Sequence, residues 1–363
     1  MPLRALARVD LAAIERNCRL LDQASGDALL CAVVKADGYG HGALPAARAA
    51  RAGGARWLAV ATANEAAELR AADIGGRILV MGALSPEELD VALDADADVV
   101  AWNETFVKGI ARRGGAPGRV HVKLDTGMGR LGTRDTAEAD AIVALLDRPA
   151  GLMTHFATAD DRDDDFMAEQ LERFSAWARP HKERDPELLL HAANSAATLR
   201  DPATHFDLVR CGIAIYGLDP FGVDARKQDL TPALALESYV AAGKRIEPGE
   251  SAGYGRRFVA SEPTMLATIP IGYADGVRRG LTNNADVLLG GDRYPLVGTV
   301  SMDNVTVDLG PATIIEVGDP ATLIGVSGED EITAEEVAQR LGTINYEVTC
   351  GISRRVPREY AER

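Results

Sequence analysis

Cysteine and lysine are both scarce in this chain of 363 residues. The four cysteines, Cys18, Cys31, Cys211 and Cys350, are scattered, and no two of them have the CxxC spacing of a zinc or redox motif. A disulfide framework and a zinc knuckle are therefore not indicated, and we expect the thiols to be reduced.

Long apolar runs and basic patches are also missing. The opening residues, MPLRALARVDLAAIERN, lack the uninterrupted apolar core of a secretion signal, and no later segment has the length and apolarity of a membrane span. With 39 Lys+Arg against 54 Asp+Glu, the formal charge of −15 repels nucleic acids and anionic lipids. We expect a cytoplasmic protein with no nucleic-acid partner and no membrane partner.

The scarcity of lysine draws attention to two positions. Only six of the 39 basic residues are lysine, so arginine supplies most of the positive charge. Lys35 follows an apolar run in LLCAVVKADGYGHGA and opens its glycine-rich part, and Lys123 lies inside another apolar run. A lysine in such a place is less often a solubilising charge, and both are candidates for chemistry.

Short apolar runs alternate with Ala/Glu/Arg-rich stretches, and two of these stretches, ANEAAELRAA and SPEELDVALD, predict helices. Eight such runs over roughly 200 residues indicate βαβ units that close into a (β/α)8 barrel. They cover residues 29–34, 57–61, 77–81, 97–101, 119–124, 150–154, 187–191 and 206–210. Later, Pro, Gly and Thr become more frequent and β-type runs follow. We predict an α/β fold: a barrel domain over 1–230 and a mostly β domain over 231–363.

Polar side chains cluster where these strands end. The carboxyl ends of barrel strands converge on one mouth, where catalytic groups lie. Taken singly, each residue has an ordinary explanation as a solvated cap or a satisfied polar group, but together they indicate an active site. In chain order they are Lys35, Tyr39, Lys123, Arg130, His155, His191, Asn194, Ser195 and Arg210.

This mouth suits an anion better than a metal ion. His155 and His191 could bind a metal with the aspartates of DDRDDDF, but a lysine and two arginines repel a cation, so we expect no metal. An anion fits because Ser195 begins a predicted helix and Gly212 follows Arg210. A phosphate pocket beside a nucleophilic lysine suggests pyridoxal phosphate as the cofactor.

Eight strings, in order from about residue 9 to about residue 357, make the chain closely similar to the alanine racemase family. They are VVKADGYGHG, VKLDTGMGRLG, THFATAD, HAANSAAT, VRCGIAIYGL, AGYGRRF, IPIGYADG and VSMD. The resemblance implies a (β/α)8 barrel followed by a β domain, pyridoxal phosphate as cofactor, and an isomerase. Its reaction would interconvert L-alanine and D-alanine and supply D-alanine for peptidoglycan.

The resemblance assigns two residues to proton transfer. Racemisation removes a proton from one face of Cα and delivers one to the other face. Lys35 would hold the cofactor covalently and serve one face, while Tyr254 would serve the other from the second subunit of a homodimer. Free lysine and tyrosine titrate near 10.4 and about 10, so the site must bring both closer to working pH.

Arg210 would face the pyridine nitrogen of the cofactor. An arginine cannot accept a proton from that nitrogen, so the ring is a weaker electron sink and racemisation is favoured over transamination. Arg130 would orient the substrate carboxylate, with Lys123 beside it as a possible carbamylation site. The other cofactor-binding residues implied are Tyr39, His155, Asn194, Ser195, Gly212 and Ile213, and the other substrate-binding residues are Tyr273 and Met302, with Asp303 adjacent.

Two positions depart from the family pattern. Ser301 begins the string SMD where many members have CMD, and Arg354 stands where several members have a tyrosine at the phosphate.

Three alternatives stay open: a serine or broad-specificity racemase, a barrel-fold decarboxylase, and a non-catalytic pyridoxal phosphate-binding protein. Arg210 and Tyr254 speak against the decarboxylase, and the long β-rich segment with Tyr254 speaks against the binding protein.

Overall fold

The computed structural model describes residues 3–361. It divides into two compact units, which we call the barrel unit, Ile14–Phe221, and the β unit, the residues up to Ala13 together with those from Gly222 onward. Among the described residues, no helix combines the length and apolar character needed to cross a bilayer.

The first strand, β1 (Leu6–Asp10), lies in the β unit. It pairs antiparallel with Leu234–Tyr239 and parallel with Arg358–Ala361. The division observed therefore differs from the predicted boundary between residues 230 and 231, which would put this strand in the barrel. The local pattern of a strand does not encode partners that lie more than 200 residues away.

Eight parallel strands form the sheet of the barrel unit, in the order β8-β7-β6-β5-β4-β3-β2-β9. The first and last strands of this order, β8 and β9, are also joined to each other, by backbone hydrogen bonds from Asp207 N to Leu190 O (3.0 Å) and from Arg210 N to Ala193 O (2.9 Å). The eight predicted runs and the predicted barrel are thus confirmed. The strands are β2 (Leu29–Val33), β3 (Trp57–Val60), β4 (Arg77–Val80), β5 (Asp98–Ala101), β6 (Val120–Lys123), β7 (Gly151–Met153), β8 (Leu189–His191) and β9 (Leu208–Cys211).

Helices connect these strands, and the two predicted from sequence are confirmed. Thr62 and Ser85 each begin a helix with a capping box, in which the hydroxyl accepts the N–H of a glutamate three residues on. The helices are α1 (Leu11–Ala24), α2 (Lys35–Tyr39), α3 (Ala43–Ala52), α4 (Ala63–Ala71), α5 (Pro86–Asp94), α6 (Glu104–Arg112), α7 (Thr136–Leu146), α8 (Phe166–Arg184) and α9 (Ser195–Arg200).

The β unit is a mostly antiparallel sheet with two short helices, α10 (Ala334–Leu341) and α11 (Asn345–Cys350). Its strands are β10 (Leu234–Tyr239), β11 (Ala242–Ile246), β12 (Ser251–Ala252), β13 (Phe258–Val259), β14 (Thr264–Ile269), β15 (Asp286–Leu289), β16 (Asp292–Val297), β17 (Val305–Asp308), β18 (Pro320–Ser327), β19 (Asp330–Ile332) and β20 (Arg358–Ala361). The strand order is β11-β14-β17-β16-β15-β18-β10-β1-β20, β19 pairs with β18, and β12 pairs with β13. The predicted mostly β character is confirmed.

A buried carboxylate fixes the loop after β14. Asp275 is fully buried and accepts hydrogen bonds from Arg4 Nη1 (2.9 Å) and from Gly272 N (2.9 Å), with Arg355 Nε at 3.4 Å. Burial alone would raise the pKa of Asp275, but these donors outweigh it and hold that pKa below its usual 3.8. The carboxylate therefore stays charged and ties the start of the chain to this loop.

We expect Asp275→Asn to lower the free energy of unfolding by about 1–3 kcal/mol, because the buried donors lose a charged acceptor. A group whose pKa is depressed on folding stabilises the protein above its unfolded pKa. The difference between wild type and variant in urea midpoint should therefore be full at neutral pH and shrink as pH falls below 3.8 through the folded pKa. Asp303→Asn, which also loses a bond to Arg355 but at an exposed site, is the control. An Asp275→Asn difference no larger than the control's would contradict this prediction.

Candidate active site

The loop that follows β2 has an unusual backbone. In α2, directly after Lys35, the residues Ala36, Asp37 and Gly38 have φ of 53°, 52° and 60° with positive ψ, the left-handed region. This conformation costs an L-residue about 1–2 kcal/mol, so outside contacts must hold it. Glu65 supplies one, because its Oε1 accepts the N–H of Ala36 (2.6 Å) while its Oε2 caps α4. The residue next to Lys35 is thereby tied to a neighbouring helix.

Tyr39 ends the same turn and points at Gly212. Its buried ring packs against Tyr216 at 5.1 Å between centroids, and Tyr216 Oη donates to Val33 O (3.1 Å). A Cβ built on Gly212 would lie 2.3 Å from Tyr39 Oη, so any other residue here would force the Tyr39 ring to move. Glycine at position 212 is what allows this close approach.

A polar turn lies beside that contact, between β8 and the end of β9. Ser195 Oγ accepts the N–H groups of Gly212 (2.9 Å) and Ala214 (3.4 Å). Asn194 Oδ1 accepts the N–H of Ala197 (3.0 Å) and so caps α9. The structure therefore brings together the residues expected to bind phosphate, namely Tyr39, Ser195, Gly212 and Ile213, with Asn194 as the cap beside them.

Arg210 lies in the barrel interior and is only 3% exposed. The acceptors around it are neutral: His191 Nδ1 (2.9 Å), Thr154 O (2.9 Å), Ala192 O (2.9 Å) and His155 Nδ1 (3.2 Å). Burial lowers the pKa of Arg210 to about 10, so the guanidinium is still charged at neutral pH. The site is consequently electropositive and suited to an anion.

Lys123 at the end of β6 is 4% exposed and shares this field. Burial, followed by the charges of Arg210 and Arg130, lowers its pKa to about 8, while Asp125 acts in the opposite direction. About half of the Lys123 amines are therefore neutral at pH 8. A neutral amine is a nucleophile, whereas an ammonium is not.

Asp125 shapes the loop that carries Arg130. Its carboxylate accepts the N–H groups of Gly127 (3.1 Å) and Gly129 (3.0 Å) and the Nε–H of Arg134 (3.0 Å). Burial raises the pKa of Asp125, but these donors outweigh it and lower the pKa overall. Arg130 follows directly and is exposed, so a rigid turn presents its guanidinium to solvent.

His155 follows β7 and is neutral. Burial, and then the charges around it with Arg210 foremost, lower its pKa well below the usual 6.5. Gln170, fully buried, holds this segment by donating to His155 O (3.2 Å) and to Thr126 Oγ1 (3.2 Å) and by accepting from Ala157 N (2.8 Å).

The other predicted residues belong to the β unit. Tyr254, Tyr273 and Met302 are 73%, 41% and 51% exposed, although their loops are hydrogen-bonded to one another. Thr299 Oγ1 donates to Tyr254 O (2.7 Å), and Tyr273 N donates to Ser301 O (3.0 Å). We call residues 253–256, 272–276 and 298–303 the tyrosine loops; Arg354 is also exposed in this unit. Ordered loops thus present large side chains to solvent.

Both histidines considered for a metal have another role. His155 and His191 each accept a hydrogen bond from Arg210 through Nδ1. Within residues 3–361, no group of three His, Cys, Asp or Glu side chains is arranged to hold a metal ion.

Sequence reasoning missed several residues that support the site. Glu65 is recognisable only as the glutamate of a capping box, TANE, and nothing local indicates its bond to Ala36. Gln170 lies mid-helix in α8 without any motif. Asp98 begins β5 and His121 lies inside β6. Every residue of these two strands is buried, so the strand pattern does not mark either one as part of the site.

The fold and site define an enzyme of the barrel class with a lysine at a strand end, a buried arginine and an anion-binding turn. Residues 9–220 match the model of the family described as "Alanine racemase, N-terminal domain", and residues 233–360 match "Alanine racemase, C-terminal domain". The chain belongs to the alanine racemase family, and as a member it is an isomerase.

Individual relatives agree over nearly the whole chain. An alanine racemase of Symbiobacterium thermophilum is 42% identical over 362 residues, covering 98% of this chain and 96% of that protein. Another, of Thermobifida fusca, is 43% identical and covers 98% of each. The crystal structure of alanine racemase from Streptomyces lavendulae superposes with a TM-score of 0.94 at 38% identity, covering 100% of this chain and 98% of that one.

Proposed function

We propose that this protein interconverts L-alanine and D-alanine with pyridoxal phosphate bound at Lys35, and so supplies D-alanine for peptidoglycan. The observation that carries the proposal is the buried guanidinium of Arg210 next to the turn formed by Ser195, Gly212 and Tyr39. Family membership over both units supports it.

The donor set of the barrel site fits this cofactor. Because Gly212 has no Cβ, the Tyr39 hydroxyl can lie close to the backbone of this turn, and the surrounding charge is positive. Ser195, Gly212, Ile213 and Tyr39 would hold the phosphate, and Asn194 would keep its turn in place. Lys35 would bind the aldehyde carbon through its amine, with His155 beside the ring. When bound, pyridoxal phosphate withdraws electrons from Cα of the amino acid and makes the Cα proton acidic.

Two residues of this chain would then move protons at Cα. The Lys35 amine would serve one face and the Tyr254 hydroxyl the opposite face, because racemisation must deliver the proton on the side from which it was not taken. Arg210 would donate a hydrogen bond to the ring nitrogen and leave it unprotonated, since its guanidinium accepts no proton. Less charge would be drawn into the ring, which favours return of the proton to Cα.

The substrate carboxylate would bind at Arg130, with Met302 and Tyr273 nearby. Lys123 would carry a carbamate, formed when its neutral amine attacks carbon dioxide and loses a proton. This changes a repulsive ammonium near Arg130 into an anion that attracts the guanidinium and orients it. The pKa of about 8 for Lys123 supports this modification.

The exposed tyrosine loops support a homodimer with shared sites. Tyr254 and Met302 are more than half exposed while their backbones are tightly hydrogen-bonded, which is typical of residues that complete a partner's site. We propose that Tyr254 serves the barrel of the second subunit. The buried thiols of Cys18, Cys31 and Cys211, which form no disulfide, agree with a cytoplasmic, reducing location.

The function is tested by incubating the purified protein with pyridoxal phosphate and L-alanine and measuring D-alanine by chiral chromatography. We expect D-alanine to form, with kcat/KM at least about tenfold above that for L-serine. Lys35→Ala should lose roughly 10³-fold in kcat, whereas the exposed Lys108→Ala should match wild type. Faster turnover of serine would favour the broad-specificity alternative, and cofactor binding without turnover would favour the non-catalytic alternative.

Sharing of sites predicts complementation between inactive variants. Lys35→Ala and Tyr254→Phe subunits, mixed under conditions that exchange subunits, should recover up to about a quarter of wild-type activity, since half of the dimers then contain one intact site of two. Replacing the second variant with a Lys35→Ala, Tyr254→Phe double variant gives a control in which no intact site arises. Heterodimers that form but stay inactive would refute the shared site.

Carbamylation predicts a distinctive defect in Lys123→Ala. Loss of the anion beside Arg130 should raise the KM for L-alanine by about tenfold or more, because a charge-assisted hydrogen bond is lost. Small carboxylic acids such as acetate should partly restore the KM by filling the vacated position, and should leave Lys108→Ala unchanged. Wild type equilibrated with ¹³C-bicarbonate should show a carbamate signal by NMR that this variant lacks. An unchanged KM or a missing signal would count against the modification.

A further inference from the structure

A line of buried polar groups crosses the interior of the barrel from Arg210. Arg210 Nη1 lies 2.9 Å from His191 Nδ1, and His191 Nε2 lies 2.8 Å from His121 Nδ1. His121 Nε2 in turn lies 3.5 Å from Asp98 Oδ1, an electrostatic contact that is too long for a regular hydrogen bond. His191, His121 and Asp98 are all fully buried and come from β8, β6 and β5. Strands distant in sequence thus contribute to one chain of contacts.

The chain has a direction that chemistry imposes. Arginine only donates, so His191 Nδ1 must accept and the single proton of the neutral imidazole lies on Nε2. That proton is donated to His121 Nδ1, which leaves the His121 proton on Nε2, directed at the carboxylate of Asp98. The donor at one end and the acceptor at the other therefore select the same tautomer of each imidazole. A charged imidazole at His191 would place two donors face to face at Arg210.

Asp98 anchors the far end of the chain. It accepts hydrogen bonds from Arg77 Nε (2.9 Å) and Arg119 Nη1 (3.0 Å). Burial raises the pKa of Asp98, but the contact with His121 and then the hydrogen bond and charge of Arg77 outweigh burial and keep the pKa low. A carboxylate held ionised and immobile attracts the His121 Nε2 proton electrostatically and so favours that tautomer.

The alternative is that the rings of His121 and His191 only fill space in the barrel interior. His121 contacts Trp57 edge to face at 5.5 Å and His191 at 4.9 Å between ring centroids, so an aromatic ring is well accommodated there. Barrel interiors, however, are mostly filled by branched apolar side chains. The two imidazoles lie between a guanidinium that only donates and a carboxylate that only accepts, and each ring presents its proton toward the carboxylate. Packing alone does not require this order of donors and acceptors.

We propose that Asp98, His121 and His191 are positioning residues that hold Arg210 in the orientation in which it meets the ring nitrogen of the cofactor. This inference rests on the proposed function for its effect on catalysis, while the tautomers it requires do not depend on any activity. If the anchor is lost, only Arg210 still selects the His191 tautomer, and each His191 ring that takes up the Nδ1–H tautomer would push the guanidinium away. A displacement of about 1 Å at a reacting centre costs up to roughly 10²-fold in rate.

Two substitutions at His121 separate this role from packing. In His121→Gln the amide oxygen can accept from His191 and the amide nitrogen can donate to Asp98, so the direction of the chain is kept. In His121→Phe the ring is kept and the chain is broken. We expect kcat for L-alanine to stay within about threefold of wild type in His121→Gln and to fall roughly 10- to 100-fold in His121→Phe, with KM within about threefold in both. The reverse order would show that packing is what matters, and would overturn the proposal.

A second measurement reads the chain directly. Solid-state ¹⁵N NMR of histidine-labelled holoenzyme, assigned by the signals lost in the His121 variants and in His191→Gln, should show both imidazoles neutral with the proton on Nε2. His191 should keep that tautomer in His121→Gln and lose it in His121→Phe. A charged ring or a Nδ1–H tautomer in wild type would overturn the proposal even if His121→Phe fails to fold. Wild type that shows these tautomers but forms no D-alanine would refute the proposed function alone.

Discussion

The guanidinium of Arg210 is buried among neutral acceptors, and most of the barrel site depends on that one charge. Moving an unpaired charge out of water costs several kcal/mol, which the protein offsets with two carbonyl groups and two imidazole nitrogens aimed at the arginine. Because each of those acceptors must present a lone pair, the arginine also determines which nitrogen of His191 and of His155 carries the proton.

The same charge acts on the other titratable groups of the site. After burial, it is the main reason that the pKa of His155 lies far below its usual range, and it helps to bring the pKa of Lys123 to about 8. Burial and one buried cation thus together keep a histidine neutral and leave a lysine nucleophilic. Groups that would be ordinary in water acquire distinct chemical roles, since their separation from solvent leaves these charges poorly screened.

Backbone constraints place the groups that this charge acts on. The left-handed turn after Lys35 costs free energy at Ala36 and Asp37, and Glu65 and the packing of Tyr39 hold it in place. Gly212 is the position where any side chain would displace Tyr39. In the β unit, Asp275 does the comparable work by binding Arg4, Gly272 and Arg355, and so fixes the loop that carries Tyr273.

The sequence by itself determined the eight barrel strands, the capped helices such as the one that begins after Ser85, the β-rich second half, and the candidate residues at the strand ends. These features depend on local periodicity, capping and motifs, which act over a few residues. Tertiary structure alone decided that β1 pairs inside the β unit, that Glu65 holds Ala36, and that His121 and Asp98 line up behind Arg210. Those contacts join residues between 23 and 351 positions apart, and their free energy comes from burial and strand pairing, which exist only once the chain has folded.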